Sequence, residues 1–235
     1  MPSDFDPAKG FFTFATGKKG GGKSYLTRRI FDSYPFDRLV IDVTGSVRAD
    51  FQSQGVKYTD LGKDTMPLRF PRPANEGERV TAIYVPDMGD KEALINADRA
   101  IGLAMAQGRI CIWIDEIGVI APANRTPPNL KRVLHHGRHR KITLLQAGPR
   151  PRTIDPLCIA QADHVFTFDL PNPEDRKRVA EEIGWPPRLF DQAVHDLRSH
   201  EYLWYNGLAE DGMGELTHMP PLPPRPRAPY APVPE

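Results

Sequence analysis

Two kinds of stretch alternate along the chain. Apolar runs rich in β-branched and aromatic residues recur at 11–16 (FFTFAT), 38–43 (RLVIDV), 81–85 (TAIYV), 110–115 (ICIWID), 142–147 (ITLLQA), 164–169 (HVFTFD) and 201–205 (EYLWY). Each reads as a strand. Several are apolar throughout, as expected for strands covered on both faces of a parallel sheet. Helical segments are predicted between them, over 23–33, 91–107, 128–137, 174–183 and 187–197. In 91–107 the apolar residues Leu94, Ile95, Ala97, Ile101, Leu103 and Met105 are spread broadly, which predicts a well-buried helix. Strand alternating with helix predicts an α/β fold, a mostly parallel central sheet flanked by helices.

Two stretches break the alternation. Residues 60–80 have little apolar pattern and read as a loop or small insertion. Residues 219–235 (MPPLPPRPRAPYAPVPE) hold eight prolines in 17 positions, which predicts an extended, disordered tail; its PPLPPRP resembles an SH3-type ligand. The chain therefore divides into one domain over 1–218, with its core near 10–205, and the proline-rich tail. Apolar residues make up 40% and charged residues 26% of 235, an ordinary globular composition. No apolar run reaches the ~20 residues of a membrane helix, and Met1-Pro2-Ser3-Asp4 does not open a secretory signal. Cys111 and Cys158 sit in or beside apolar runs and read as buried reduced thiols.

The first candidate chemistry lies where the first strand meets the first helix. Gly17-Lys18-Lys19-Gly20-Gly21-Gly22-Lys23-Ser24 fits G-x-x-x-x-G-K-[ST], following a strand and opening a helix that continues with Tyr25. Glycines let the backbone wrap closely round a phosphate, and the helix N-terminus adds partial positive charge. Lys23 reaches the β- and γ-phosphates in such a cradle, and the Ser24 hydroxyl binds Mg²⁺. A flexible turn would account for Gly20-Gly21-Gly22 but not for Lys23-Ser24 in register with Gly17.

The run RICIWIDEIG ends a buried strand in two acids, Asp115 and Glu116. Unpaired carboxylates at such a place are costly and need a reason. Asp115 is placed to hold Mg²⁺ and Glu116 to activate water against the γ-phosphate. Gln146 ends another apolar strand and is a candidate for contact with the γ-phosphate or the attacking water.

Cradle, Asp-Glu strand, Gln-ended strand and the stretch IDPLCIAQADHVFTFDLPNPEDRK occur in an order that resembles the FtsK–HerA superfamily of P-loop ATPases. The compact form resembles the genome-packaging ATPases of tailless, membrane-containing double-stranded DNA viruses. The match covers about residues 10–205. It implies a RecA-like domain that hydrolyses ATP with Mg²⁺, assembles as a ring, expected to be a hexamer, and moves double-stranded DNA through sequence-independent phosphate contacts. It implies a host-cytoplasmic protein that associates with the virion and docks on a capsid or membrane-protein vertex. It also implies roles: Lys23 and Ser24 on phosphate and Mg²⁺, Asp115 on Mg²⁺, Glu116 as catalytic base and Gln146 as sensor. The N-terminal barrel of HerA helicases and the membrane region of FtsK are not seen, which favours packaging. The alternatives are a plasmid or conjugative DNA-transfer ATPase and a nucleotide-dependent binding switch.

Net charge is only +1, yet no Asp or Glu occurs from Ile117 to Ile154. That window holds Arg125, Lys131, Arg132, Arg138, Arg140, Lys141, Arg150 and Arg152, a surface suited to phosphate. The resemblance implies an arginine acting on a neighbour's γ-phosphate. Arg138 is the first choice and Arg140 the second, with Arg150 and Arg152 as further candidates. Arg125, Lys131 and Arg132, on or beside the proline-stiffened loop after Glu116, are candidates for DNA contact. The cluster His135, His136 and His139 has no accompanying Cys or carboxylate and does not read as a zinc site.

Overall fold

A computed structural model describes residues 5–62, 67–73, 75, 77–209 and 214–224. The elements are β1 (Phe12–Thr16), α1 (Lys23–Ser33), β2 (Asp37–Ile41), α2 (Ser46–Ser53), β3 (Thr59–Asp60), β4 (Thr81–Tyr84), α3 (Ala93–Gln107), β5 (Ile110–Ile114), α4 (Ile117–Ile120), α5 (Pro128–His136), β6 (Thr143–Gly148), α6 (Pro156–Ala160), β7 (His164–Thr167), α7 (Pro173–Glu182), α8 (Pro187–His195), β8 (Tyr202–Asn206) and β9 (Glu215–Met219). The strands form one sheet in the order β3-β4-β2-β5-β6-β1-β7-β8-β9. Pairing is parallel from β3 through β7 and antiparallel at β7–β8 and β8–β9. The α/β architecture expected from the alternation is the one observed.

The continuous apolar runs are explained by burial on both faces. Phe12, Phe14, Ile112, Ile114 and Leu144 pack on one side with Ala97 and Ile101 of α3 and Leu130 and Val133 of α5. Ala15, Trp113, Leu145, Val40 and Ile83 pack on the other with Leu26, Ile30 and Phe31 of α1. Truncating a fully buried ring such as Phe14 to alanine costs about 3–5 kcal/mol. Cys111 and Cys158 are free and buried, on opposite faces of the sheet.

The structure departs from the sequence reading in several places. Leu94 is 37% and Ile95 60% exposed, so α3 is not buried all round; both border a hollow of about 420 Å³ beside Pro122 and Pro127. α2 has only Val47 and Phe51 buried, one turn apart among polar residues, too weak a pattern to predict. Within 60–80, Leu61, Phe70 and Val80 are core residues, so that segment anchors at separate points. The tail boundary at 218/219 falls inside β9. Met219 completes that strand and, with Leu222, packs on the core, while residues 225–235 lie outside the described set. Cross-strand pairing of β9 with β8 outweighs the prolines that follow.

Candidate nucleotide site

The cradle sits at the carboxyl end of β1. Gly17 has φ +141° and Gly22 φ +118°; a Cβ at Gly17 would lie 2.6 Å from Phe168 Cβ, and one at Gly22 2.8 Å from Phe168 Cε1. Both positions therefore require glycine, for backbone conformation and for the close approach of Phe168. The loop is tied to the segment after β7. Lys18 N–H donates to Asp169 O at 2.7 Å, and the Lys18 ammonium pairs with the Asp169 carboxylate. α1 begins at Lys23 behind Gly22, an N-cap with no side-chain cap bond to the first-turn N–H groups. Lys23 Nζ donates to Gly17 O at 2.7 Å and Lys18 O at 3.0 Å, which places the ammonium inside the loop. Burial holds its pKa below the usual lysine value, and Glu116 acts against that. Ser24 is exposed at the start of the helix.

Asp115 and Glu116 follow β5, two strands away, at the same carboxyl edge. Asp115 Oδ1 accepts from Val43 N–H and Oδ2 from the Thr44 hydroxyl, both at 2.8 Å. Burial pushes its pKa up to about 6; the Thr44 hydrogen bond opposes this and the Asp42 carboxylate adds to it. Glu116 is also raised, by burial first and then by Asp115, with Lys23 opposing. A carboxylate moved toward neutrality is a better proton acceptor for water. Among the described residues no group of three or more His, Cys, Asp or Glu could hold a metal by itself.

Sequence reasoning missed Asp42 and Thr44. Asp42 is fully buried at the end of β2; Oδ2 accepts from Arg48 N–H at 2.7 Å and Oδ1 has no partner among the described residues. The signal was present, because VIDVTG repeats the pattern of an apolar strand closed by an acid.

The remaining candidates divide. Gln146 is fully buried in register with Phe14 and Ile114, two residues short of the end of β6. Its Nε2 donates to Thr13 O at 3.3 Å and Cys158 O at 3.1 Å, and its buried Oε1 has no partner among the described residues. It stands beneath the cradle and does not line its surface. Arg138 is placed at the opposite, amino edge of the sheet. It donates to Asp163 at 2.9 and 3.1 Å and to Gln161 O at 2.6 Å, with its guanidinium 4.3 Å from the Phe12 ring centre. Arg140 donates to Met105 O and Ala106 O at 2.8 Å each, closing the end of α3. The guanidinium groups of Arg138 and Arg140, the first and second choices to reach a neighbouring phosphate, are both engaged within the fold in this structure. Arg150 and Arg152 follow β6 at the carboxyl edge and are exposed, and their guanidinium groups make no hydrogen bond or ion pair among the described residues. Their segment is stitched to the one after Glu116 by the Pro122–Ile154 bridge, flanked by Ala123 N–H to Thr153 O at 2.9 Å and Asp155 N–H to Ala121 O at 3.0 Å.

No family model and no curated protein matches the chain. Among solved structures, the genome packaging NTPase B204 of Sulfolobus turreted icosahedral virus 2, in complex with sulfate, superposes with a TM-score of 0.69 at 17% identity, over 92% of this chain and 99% of that one. The same NTPase in complex with AMPPCP gives 0.67 at 16% identity, over 92% and 100%. The pCW3 conjugation coupling protein TcpA, in monomer form with ATPγS, gives 0.55 at 14% identity, over 91% of this chain and 60% of that one. At these identities the likeness establishes the fold, a RecA-like P-loop NTPase. Among the described residues no helix is long and apolar enough to cross a membrane.

Proposed function

We propose that the chain is a Mg²⁺-dependent ATPase that drives double-stranded DNA into a viral capsid. The observation that carries the hydrolytic part is the placement of Lys23 and the Asp115–Glu116 pair at one carboxyl edge of the sheet. The cradle N–H groups and Lys23 hold the phosphates, and Ser24 and Asp115 hold the metal. Mg²⁺, when bound, neutralises charge on the β- and γ-phosphates. Glu116 accepts a proton from the attacking water. Gln146 acts as a positioning residue beneath the β1–β6 edge. Packaging is supported by the fold shared with a viral packaging NTPase across the full length of that protein.

A ring, taken as a hexamer, places one subunit's carboxyl-edge arginines near the next subunit's phosphates. Arg150 and Arg152 suit that requirement, because no described residue of their own subunit pairs with their guanidinium groups. Arg125, Lys131 and Arg132 are exposed on or beside the loop after Glu116 and offer phosphate contacts to DNA. A capsid or membrane vertex in the host cytoplasm, and later the virion, is the setting this activity needs. The TcpA likeness keeps conjugative DNA transfer as the second reading.

The test is steady-state ATP hydrolysis across protein concentration, with and without double-stranded DNA. Stimulation by DNA and a rate per subunit that rises with concentration are expected. A slow rate, flat in both, would sink the motor and leave a nucleotide-dependent switch.

A further inference from the structure

The β5 flank of the cradle, with Asp115 and Glu116, is where the terminal phosphate must point. The rest of a nucleotide then leaves over the other flank, above β7, β8 and β9. Two hollows open there. A small one of about 160 Å³ is bordered by Lys18, Gly20, Gly21, Asp169 and Ser199. A larger one of about 360 Å³ is bordered by Gly22, Tyr25, Phe168, His200, Pro221 and Leu222. They meet at Ser199 and His200, which border both. The first is bordered by the phosphate loop. The second combines two aromatic rings, an imidazole, proline rings and a leucine, a lining suited to a flat heteroaromatic ring.

One wall of the larger hollow comes from the proline-rich segment. Pro223 O accepts there from the Tyr25 hydroxyl and, at 3.1 Å, from Arg29 Nη1. Tyr25 and Arg29 lie one turn apart on α1, the helix that opens from the cradle, and the Arg29 guanidinium is 6.0 Å from the Tyr25 ring centre. Leu222 is half-buried and packs on the core behind Phe168 and Tyr202. His200, on the far wall, has φ +65° and bonds Ser199 Oγ through Nδ1 at 2.8 Å, so its ring is oriented by its neighbour.

We infer that this hollow receives the nucleoside part of the bound nucleotide, and that the first prolines after β9 form a clamp over it. The inference rests on the cradle reading above and extends it. The phosphates are held by β1 and α1, the base by the segment 220–224, and occupancy of the base pocket is thereby linked to the position of the proline-rich region. A ligand carrying phosphates without a base engages the first part only.

The experiment compares ATP, GTP and inorganic tripolyphosphate binding to the full-length wild type, Lys23→Ala and Leu222→Asp, with thermal unfolding of each. Leu222→Asp is expected to weaken ATP at least tenfold and to leave tripolyphosphate unchanged. Lys23→Ala weakens all three. ATP affinity unchanged in a folded Leu222→Asp protein overturns the clamp and leaves the cradle standing; Lys23→Ala without effect overturns the cradle itself. If Leu222→Asp does not fold, Leu222→Cys serves, because both native cysteines are buried and only the new thiol reacts. Its alkylation should slow at least tenfold with ATP and not with tripolyphosphate. Equal rates with and without ATP overturn the proposal.

Discussion

The two edges of the central sheet carry the same residue types in opposite circumstances. At the amino edge, Arg138 faces Asp163 and Gln161 O, and Arg140 faces the carbonyls that end α3. Asp163 is 8% exposed and also accepts from Phe12 N–H at 2.7 Å. Every charge named there has its partner. At the carboxyl edge Asp115 and Glu116 are pushed toward neutrality by burial, Asp42 keeps a bare buried oxygen, and Arg150 and Arg152 project without partners among the described residues. Charges that are matched inside the fold hold it together. At the carboxyl edge a buried oxygen of Asp42 and the exposed guanidinium groups of Arg150 and Arg152 are left open, the pattern a ligand site presents.

This contrast can be broken by experiment. The largest effect is expected for Arg150→Ala combined with Arg152→Ala: a loss of about 10³-fold or more in DNA-stimulated turnover, with unfolding temperature unchanged. Wild-type turnover in that variant would remove both arginines from the phosphate chemistry. Next is Glu116→Gln, which should lower kcat about 10²–10⁴-fold while nucleotide affinity, read by fluorescence titration, holds. At the other edge, Asp163→Ala should cost about 1–3 kcal/mol, because the buried Phe12 N–H loses its acceptor while the half-exposed Arg138 stays solvated, measured by denaturant unfolding. The hydrolysis rate per folded molecule should stay the same. Smallest is a pH effect. On the proposed reading Asp115 holds the metal in its ionised form, so protons would compete with Mg²⁺ as pH falls through about 6. Half-saturating Mg²⁺ for hydrolysis should rise toward tenfold per pH unit below that point and be flat above pH 7. A profile flat across pH 5–7 would show that Asp115 does not carry the metal.

Much of the carboxyl edge was legible because its signals are local. Gly17 to Ser24 is one contiguous motif, and Asp115-Glu116 announces itself as charge after an apolar run. The amino edge was not legible, since what neutralises Arg138 lies 25 residues away at Asp163 and no spacing rule connects them. Arg138 and Arg150 look alike in a string; only the fold gives one of them a carboxylate. Gln146 was read as a strand end, but β6 runs on through Ala147 and Gly148, and the amide is buried against the carbonyls of Thr13 and Cys158. The clamp was hidden for a related reason, because a proline-rich composition predicts an extended backbone and says nothing of which helix its carbonyls will meet.

The stitch between Pro122 and Ile154 bears on entropy. An exposed arginine on a slack loop would have to freeze backbone and side chain together on meeting a phosphate, at about 1–2 kcal/mol for each residue ordered. The turn bearing Arg150 and Arg152 is already fastened at Ile154 to the chain leaving Glu116, and Arg152 N–H is held by Asp175 at 2.9 Å. Most of the ordering is complete before any encounter. What is left to lose is largely rotamer freedom, so a contact of modest strength can still be decisive.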